Sequence, residues 1–275
     1  MTVKVAVVGA TGKLGRLVAG IVSEHPEFEL VASLGSASEL SEMLVADVVV
    51  DVTVPGVSQK IVEYALTNGR NVLIGTSGWS ADRVAGLKRL LGDEPANGVV
   101  VIPNFSLGSV LATSFATMAA RFYDSIEIVE AHAARKVDSP SGTAVRTAEL
   151  MTAARGARGP VAAPHTDQRA RGQQVASIPV HSLRLAGVVA KQDVIFGGTG
   201  EVLTLTHETI SQSSYTQGIL VALRAASTAR GVTVGLESLI DLGLPGGASS
   251  SGAAVPPVGP ENVSGQAATA TSVTP

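Results

Sequence analysis

A chain of 275 residues is long enough for one large domain or two small ones. With 45% hydrophobic and 16% charged residues it reads as a well-buried globular protein, which excludes a mainly disordered one. The net charge of −3 gives no reason to expect nucleic acid as a partner, and the absence of cysteine excludes disulfides, thiolate nucleophiles, zinc knuckles and iron–sulfur clusters.

Val3 to Val8 is a continuous β-branched run, followed by the glycine-punctuated stretch Gly9 to Gly15 and by helical spacing of apolar residues over Leu14 to Val22. A second strand is predicted at Phe28 to Leu34 and a third, apolar throughout, at Val48 to Val52. Val57 to Leu66 reads as a helix, Asn71 to Ile74 as a strand, Ala81 to Leu91 as a helix and Val99 to Ile102 as a strand. This alternation predicts a doubly wound parallel sheet.

After Pro103 the rhythm changes. Ser109 to Arg121 is a long helical stretch, Ser125 to Glu130 a strand ending in a polar cluster, and Thr143 to Arg155 a further helix. An Arg/Gly/Ala-rich segment without periodicity runs to about Gln174. Three strand-like runs follow, Ile178 to Val189, Asp193 to Phe196 and Val202 to His207, which predict an antiparallel or mixed sheet in an α+β domain. Gly218 to Ala229 is helical and Leu236 to Leu242 closes the folded part. From residue 243 onward the composition of Gly, Ser, Ala, Pro and Thr predicts a disordered tail. No apolar run approaches the about 18–20 residues that span a bilayer, and the first residues show no basic region followed by a cleavable hydrophobic stretch. The expectation is a soluble, cytoplasmic protein without a membrane partner.

The cluster Gly9-Ala10-Thr11-Gly12-Lys13-Leu14-Gly15 has the spacing G-x-x-G-x-x-G at the first strand-to-helix junction. Glycines there allow a tight turn and a close approach of backbone to a pyrophosphate at the helix N-terminus, although a plain turn also needs glycine. The second strand ends at Leu34-Gly35-Ser36, with no carboxylate until Glu39 to bond the ribose hydroxyls of NAD. Lys13 is near enough in sequence to meet a 2′-phosphate; the competing reading is a solvated first-turn lysine.

The stretch Glu130-Ala131-His132-Ala133-Ala134-Arg135-Lys136-Val137-Asp138-Ser139-Pro140-Ser141-Gly142-Thr143-Ala144 runs from a strand end to a helix start. Ser141, Gly142 and Thr143 can present hydroxyl and unpaired N–H groups to an anion. Arg135 and Lys136 add positive charge, and His132 can exchange a proton near neutral pH. Together they suit a carboxylate-bearing substrate that must be protonated. Singly, His132 reads equally as a surface histidine and Ser141 as a helix cap. The five histidines are scattered, without an i, i+4 pair, so no metal site is expected.

This stretch resembles the H-H-x-x-K-x-D-x-P-S-G-T-A signature of the 4-hydroxy-tetrahydrodipicolinate reductase family, long called dihydrodipicolinate reductase. The likeness extends from Val3 to about Leu242, through the glycine loop, Gly75-Thr76-Ser77-Gly78, Pro103-Asn104-Phe105-Ser106 and Pro179-Val180-His181-Ser182-Leu183-Arg184. It implies a Rossmann-like cofactor domain over 1–104 and 214–242, and a mixed-sheet α+β domain over 105–213 that binds substrate and builds a homotetramer. Asn104-Phe105-Ser106 and the region near Ser213 would be hinges.

The resemblance further implies that Gly9 to Leu14 hold the pyrophosphate of NADPH or NADH; the end of the second strand puts Gly35 and Ser36 beside the ribose, and without a carboxylate there NADPH is the expected preference. Gly75, Thr76 and Ser77 would lie on the nicotinamide side, and Ile102, Pro103, Asn104 and Phe105 would meet it across the hinge. His132 would be the proton donor and Lys136 its partner, while Ser141, Gly142 and Thr143 would bind a carboxylate of a cyclic, unsaturated dicarboxylate on the way to diaminopimelate and lysine. The second histidine of the signature, a substrate-binding position, is Ala133 here. A reductase of another cyclic imine and a non-catalytic dinucleotide sensor are the competing functions; retention of both His132 and Lys136 speaks against the sensor.

Overall fold

Valine-rich runs buried on both faces build the first half of the chain. In the computed structural model, which describes residues 2–241, the strands β1 (Val3–Val8), β2 (Phe28–Leu34), β3 (Val48–Asp51), β4 (Asn71–Ile74) and β5 (Gly98–Val101) are joined by β11 (Gly231–Val234) in one parallel sheet of order β11-β5-β4-β3-β1-β2. Helices α1 (Lys13–Glu24) and α6 (Thr216–Ser227) cover one face, where Val5, Val7, Val50 and Leu73 meet Val18, Val22, Ile219 and Leu223. The helix α2 (Pro55–Thr67) and α3 (Ala81–Leu91) cover the other, where Ala6, Val8, Val49 and Val72 meet Ile61, Val62 and Leu87. The period-2 alternation of the strands thus feeds two separate cores.

The second sheet contains β6 (Ser125–Ala133), β7 (Gln173–Val175), β8 (Ile178–Leu185), β9 (Ala190–Gly198) and β10 (Glu201–Thr209), in the order β10-β9-β6-β8-β7. It is mixed: β6 runs parallel to β8, and the other pairs are antiparallel. One face packs Ile126, Ile128, Val180, Val194 and Phe196 against α4 (Leu107–Ala119) and α5 (Gly142–Arg155), through Ala116, Ala148 and Met151. Arg155 closes the end of α5 by donating to the carbonyls of Ala120, Tyr123, Gly159 and Pro160. Both sheets lie within one compact unit, Met1–Ile240. Among the described residues no helix is long and apolar enough to cross a membrane.

Several boundaries differ from the sequence reading. The single run Ile178 to Val189 is one strand, a reversal at Gly187 with φ +83°, and the approach to β9. That reversal carries the chain past the end of β6, because β8 and β9 flank β6 on opposite sides. β6 itself continues three residues beyond Glu130, so His132 and Ala133 lie within the strand, His132 held by ladders on both sides and Ala133 by β8 alone. The short strands β7 and β11 and the 3-10 turn Leu40–Val45 have no counterpart in the periodicity. Leu242 and the predicted tail from residue 243 lie outside the described residues.

The two sheets are joined tightly where α6 meets the segment after β5. A Cβ on Gly218 would overlap the carbonyl oxygen of Phe105. Backbone must move to accept it, so Gly218→Ala should cost about 1–3 kcal/mol, the usual range for overpacking. Urea denaturation measures this; an unchanged midpoint would mean that α6 slides freely against Phe105.

Candidate functional site

All strands of the parallel sheet end at one edge, and the loops leaving that edge carry the glycine motif, Gly35–Ser36 and Gly75–Ser77. Strand order reverses at β1, the place where open α/β sheets take their ligands. Gly9 has φ +89°, and a Cβ there would stand 2.6 Å from the Val52 carbonyl oxygen. A Cβ on Gly15 would overlap the Gly9 carbonyl. Gly12 is the N-cap of α1 and brings no side chain to the first-turn N–H groups, which leaves them to an external acceptor. A diphosphate fits such a backbone cradle.

Around this loop the structure places the predicted residues unequally. Thr11, Gly12 and Lys13 are exposed, as are Ser36 and Ser77. The Thr76 hydroxyl accepts from the Thr53 N–H at 2.8 Å and donates to the Asp51 carbonyl. Ile102 and the Phe105 ring are buried, and a Cβ on Gly75 would lie 2.7 Å from that ring. Asp51, with no exposure, accepts from Thr53 and Ser58 and so shapes the loop after β3. Arg16 folds back onto the Thr11 carbonyl at the mouth of the glycine loop. The carboxylates that follow β2, Glu39 and Glu42, form a reciprocal capping box on the turn Leu40–Val45.

Beyond Pro103 and Asn104 lies a cleft of about 320 Å³, lined by His132, Lys136 and Thr143 on one side and by Gln192, His207 and Thr209 on the other. Its organising group is Glu130, whose side chain has no exposure. Arg184 donates to both carboxylate oxygens, at 3.0 and 2.9 Å, the Ser141 N–H donates at 3.2 Å, and His132 Nδ1 lies 2.6 Å away. Burial pushes the Glu130 carboxyl up, but Arg184 first, then the neighbouring Ser182 hydroxyl and His132, outweigh it and hold it below the ordinary range. The carboxylate therefore takes the proton of Nδ1 as a hydrogen bond, and Nε2 of His132 is the ring nitrogen left for the cleft.

The anion cradle depends on the same carboxylate. Ser141 caps α5, its Oγ accepting from the Ala144 N–H at 3.2 Å while its own N–H is taken by Glu130. Gly142 and Thr143, the first residues of α5, remain to meet an anion at the helix N-terminus. Lys136 pairs with Asp138 at 2.8 Å, an ion pair that draws the Asp138 carboxyl below its usual value. Arg135 sits exposed in the turn after β6, and Ala133 pairs with Leu185 across the ladder. Glu130 and Arg184 stand in the quoted motifs without a role, and Gln192 and His207 escaped the sequence reading. The signal for Glu130 was its i, i+2 spacing to His132, which puts both on one face of a strand. Among the described residues no three His, Asp or Glu side chains gather as a metal site.

Comparison with known proteins adds the following. Residues 3–105 match the family model described as dihydrodipicolinate reductase, N-terminus, and residues 108–240 the one described as dihydrodipicolinate reductase, C-terminus. A protein of Clavibacter michiganensis subsp. michiganensis, named 4-hydroxy-tetrahydrodipicolinate reductase, is 67% identical over 99% of this chain and 100% of its own length. One of the same name from Streptomyces griseus subsp. griseus is 42% identical over 87% of this chain and 98% of its own. A solved dipicolinate-bound dihydrodipicolinate reductase from Paenisporosarcina sp. TG-14 superposes with a TM-score of 0.76 at 28% identity, covering 87% of this chain and 100% of the other.

Replacing Glu130 by Gln leaves Arg184 facing a neutral amide in a buried site, which should cost about 3–5 kcal/mol of stability at neutral pH. Because the folded carboxyl titrates below its unfolded value near 4.5, its contribution is complete above that value and is lost as pH falls through the lowered one. Urea unfolding curves of wild type and Glu130→Gln should therefore converge in acid. A gap independent of pH would show that packing, not charge, makes the difference.

Proposed function

The chain belongs to the dihydrodipicolinate reductase family, and from that membership we propose that it reduces 4-hydroxy-tetrahydrodipicolinate to tetrahydrodipicolinate with NADPH or NADH, a step towards diaminopimelate and lysine. The observation that carries this reading is the pairing of an oriented His132 with an anion-binding helix N-terminus, both fixed by Glu130 in one cleft. The nicotinamide, when bound, supplies the hydride. His132, carrying a proton on both ring nitrogens when it acts, delivers the one on Nε2 and is left as the neutral ring with Nδ1–H held by Glu130. Lys136 exchanges Asp138 for a substrate carboxylate, and Gly142 and Thr143 receive a carboxylate through their N–H and hydroxyl groups, beside the capping Ser141.

Gly9, Ala10, Thr11, Gly12, Lys13 and Leu14 hold the pyrophosphate in this reading. Gly75, Thr76, Ser77 and the segment Ile102 to Phe105 border the nicotinamide, mainly through backbone, since the Thr76, Ile102 and Phe105 side chains are buried. Residues 1–104 and 214–242 form the cofactor lobe in this reading. Residues 105–213 form the substrate lobe and the contacts of a homotetramer in the cytoplasm. Exposed Leu183, Leu185 and Val202 on the second sheet support an interface there.

NADPH is the preferred cofactor. Gly35 and Ser36 leave the ribose edge without a carboxylate, while Lys13 and Arg16 stand at the loop. A Cβ on Gly35 would meet only the Thr11 methyl at 3.7 Å, so Gly35→Asp fits sterically and should shift preference towards NADH by bonding the ribose hydroxyls and repelling a 2′-phosphate. Kd values for both dinucleotides check this; equal weakening of the two would place the ribose elsewhere.

The reaction is tested by following NADPH oxidation with freshly generated 4-hydroxy-tetrahydrodipicolinate. His132→Ala should lower kcat by ~10²–10⁴-fold, the range of general acid catalysis, and leave NADPH affinity intact. Loss of stability with unchanged kcat would make His132 a packing residue. Ala133 favours a second reading, a different cyclic imine. Negligible reduction of the dicarboxylate beside clear reduction of a simpler imine would select it.

A further inference from the structure

The cleft has a second wall with its own chemistry. The ladders align Glu130 with Gln192 and Gln192 with His207, and His132 with Ala190 and Ala190 with Thr209. Aligned residues share a face, so His132 on β6 and His207 on β10 look into the same cleft. Two strand spacings of about 4.8 Å separate β6 from β10, leaving room for a six-membered ring with a carboxylate on either side.

The His207 ring is held in a defined orientation. A Cβ on Gly108 would lie 2.9 Å from both Cδ2 and Nε2, so that edge of the ring packs against the start of α4. Nε2 is 3.3 Å from the Ser106 hydroxyl, which itself accepts from the Ser109 N–H. The hydroxyl proton is then free to point at Nε2, and with Ser106 as the donor the ring proton is on Nδ1, on the opposite edge. Burial pushes the His207 pKa down from 6.5, which keeps the ring neutral with one proton to donate. The neighbouring Gln192 already gives one of its two amide N–H donors to Thr147 Oγ1 at 3.1 Å. On the first wall, Ala133 offers no donor, and its place at the end of β6 turns its side chain away from the face of His132.

We propose that His207 is a substrate-binding residue whose Nδ1–H donates to the substrate carboxylate remote from Gly142 and Thr143. This supplies from β10 a contact that Ala133 cannot make. It rests on the reading of the site as one for a cyclic dicarboxylate.

Two substitutions separate the ring's edges. Gln carries a group to the Nε2 position and drops the Nδ1 donor, whereas Asn places an amide nitrogen near the Nδ1 position and drops the link to Ser106. A hydrogen bond to a charged group predicts a rise in KM of at least about tenfold for His207→Gln, with kcat within about threefold. Dipicolinate should bind the NADPH-loaded variant correspondingly more weakly, with NADPH affinity unchanged. His207→Asn should recover most of the loss.

An unchanged KM and dipicolinate affinity in His207→Gln, Asn as impaired as Gln, or a loss confined to NADPH binding would each overturn the proposal. If wild type fails to reduce the dicarboxylate, the proposed function fails by itself. Dipicolinate binding, which needs no turnover, then decides on His207: retained affinity in His207→Gln, or no binding to wild type at all, overturns it, and a selective loss supports it.

Discussion

A single buried carboxylate organises the chemistry of this molecule. Glu130 lies on a central strand with no exposure, where an unpaired charge would be prohibitive. Arg184 from β8, His132 from its own strand and the N–H of Ser141 at the head of α5 share the task of satisfying it. Arg184 also donates to the carbonyls of Leu183 and Asp138. It therefore holds the loop that bears Lys136 to the same anchor. Replacing such a pair with packed hydrophobic residues is often neutral or stabilising, so its value here lies in geometry. Moving any one partner would move the acid, the anion cradle and the lysine loop together.

That anchor works because the rest of the fold is divided. The parallel sheet has its own cores on both faces and the mixed sheet a third, formed with α4 and α5. Between them the chain passes through Pro103 to Ser106, where Asn104 bonds both the Ser106 N–H and the Ser109 hydroxyl. Ser106 reaches His207 on β10, and Phe105 lies against Gly75 and Gly218 of the first half. The connection is thus itself part of the cleft, with Phe105 built into the core of the parallel sheet and Asn104 and Ser106 held by short hydrogen-bonded turns.

The elements legible in the sequence were those whose own composition decides them. Val3–Val8 and Val48–Asp51 are β-branched runs that could hardly be anything else, and the glycine loop announced its turn. The strands that were missed depend on partners. β11 is only four residues, too short for its Val-Thr-Val run to stand out after α6, and it becomes a strand because β5 offers an open edge. The last residues of β6, Ala131-His132-Ala133, have little strand propensity and are extended because ladders flank Ala131 and His132 on both sides and Ala133 on the β8 side. Site residues divide similarly. His132, Lys136 and Thr143 could be placed by resemblance, whereas Glu130, Arg184 and His207 acquire meaning only through pairings 54 and 101 residues apart in sequence.

The two carboxylates nearest the reacting centre differ in a way that fits their tasks. Glu130 is enclosed, so its partners cannot leave without stranding a charge in the interior. Asp138 is 59% exposed, and its ion pair with Lys136 is of the surface kind, contributing about 0.2–1 kcal/mol. A substrate carboxylate entering a partly desolvated cleft competes easily with such a pair, since the arriving anion replaces one hydrated partner by another with better shielding from water. Asp138 therefore keeps Lys136 extended towards the cleft mouth while no substrate is present, at little expense when it must release it. Fixed geometry for the proton donor and exchangeable geometry for the anion receptor follow from one variable, the burial of the carboxylate that each of them meets.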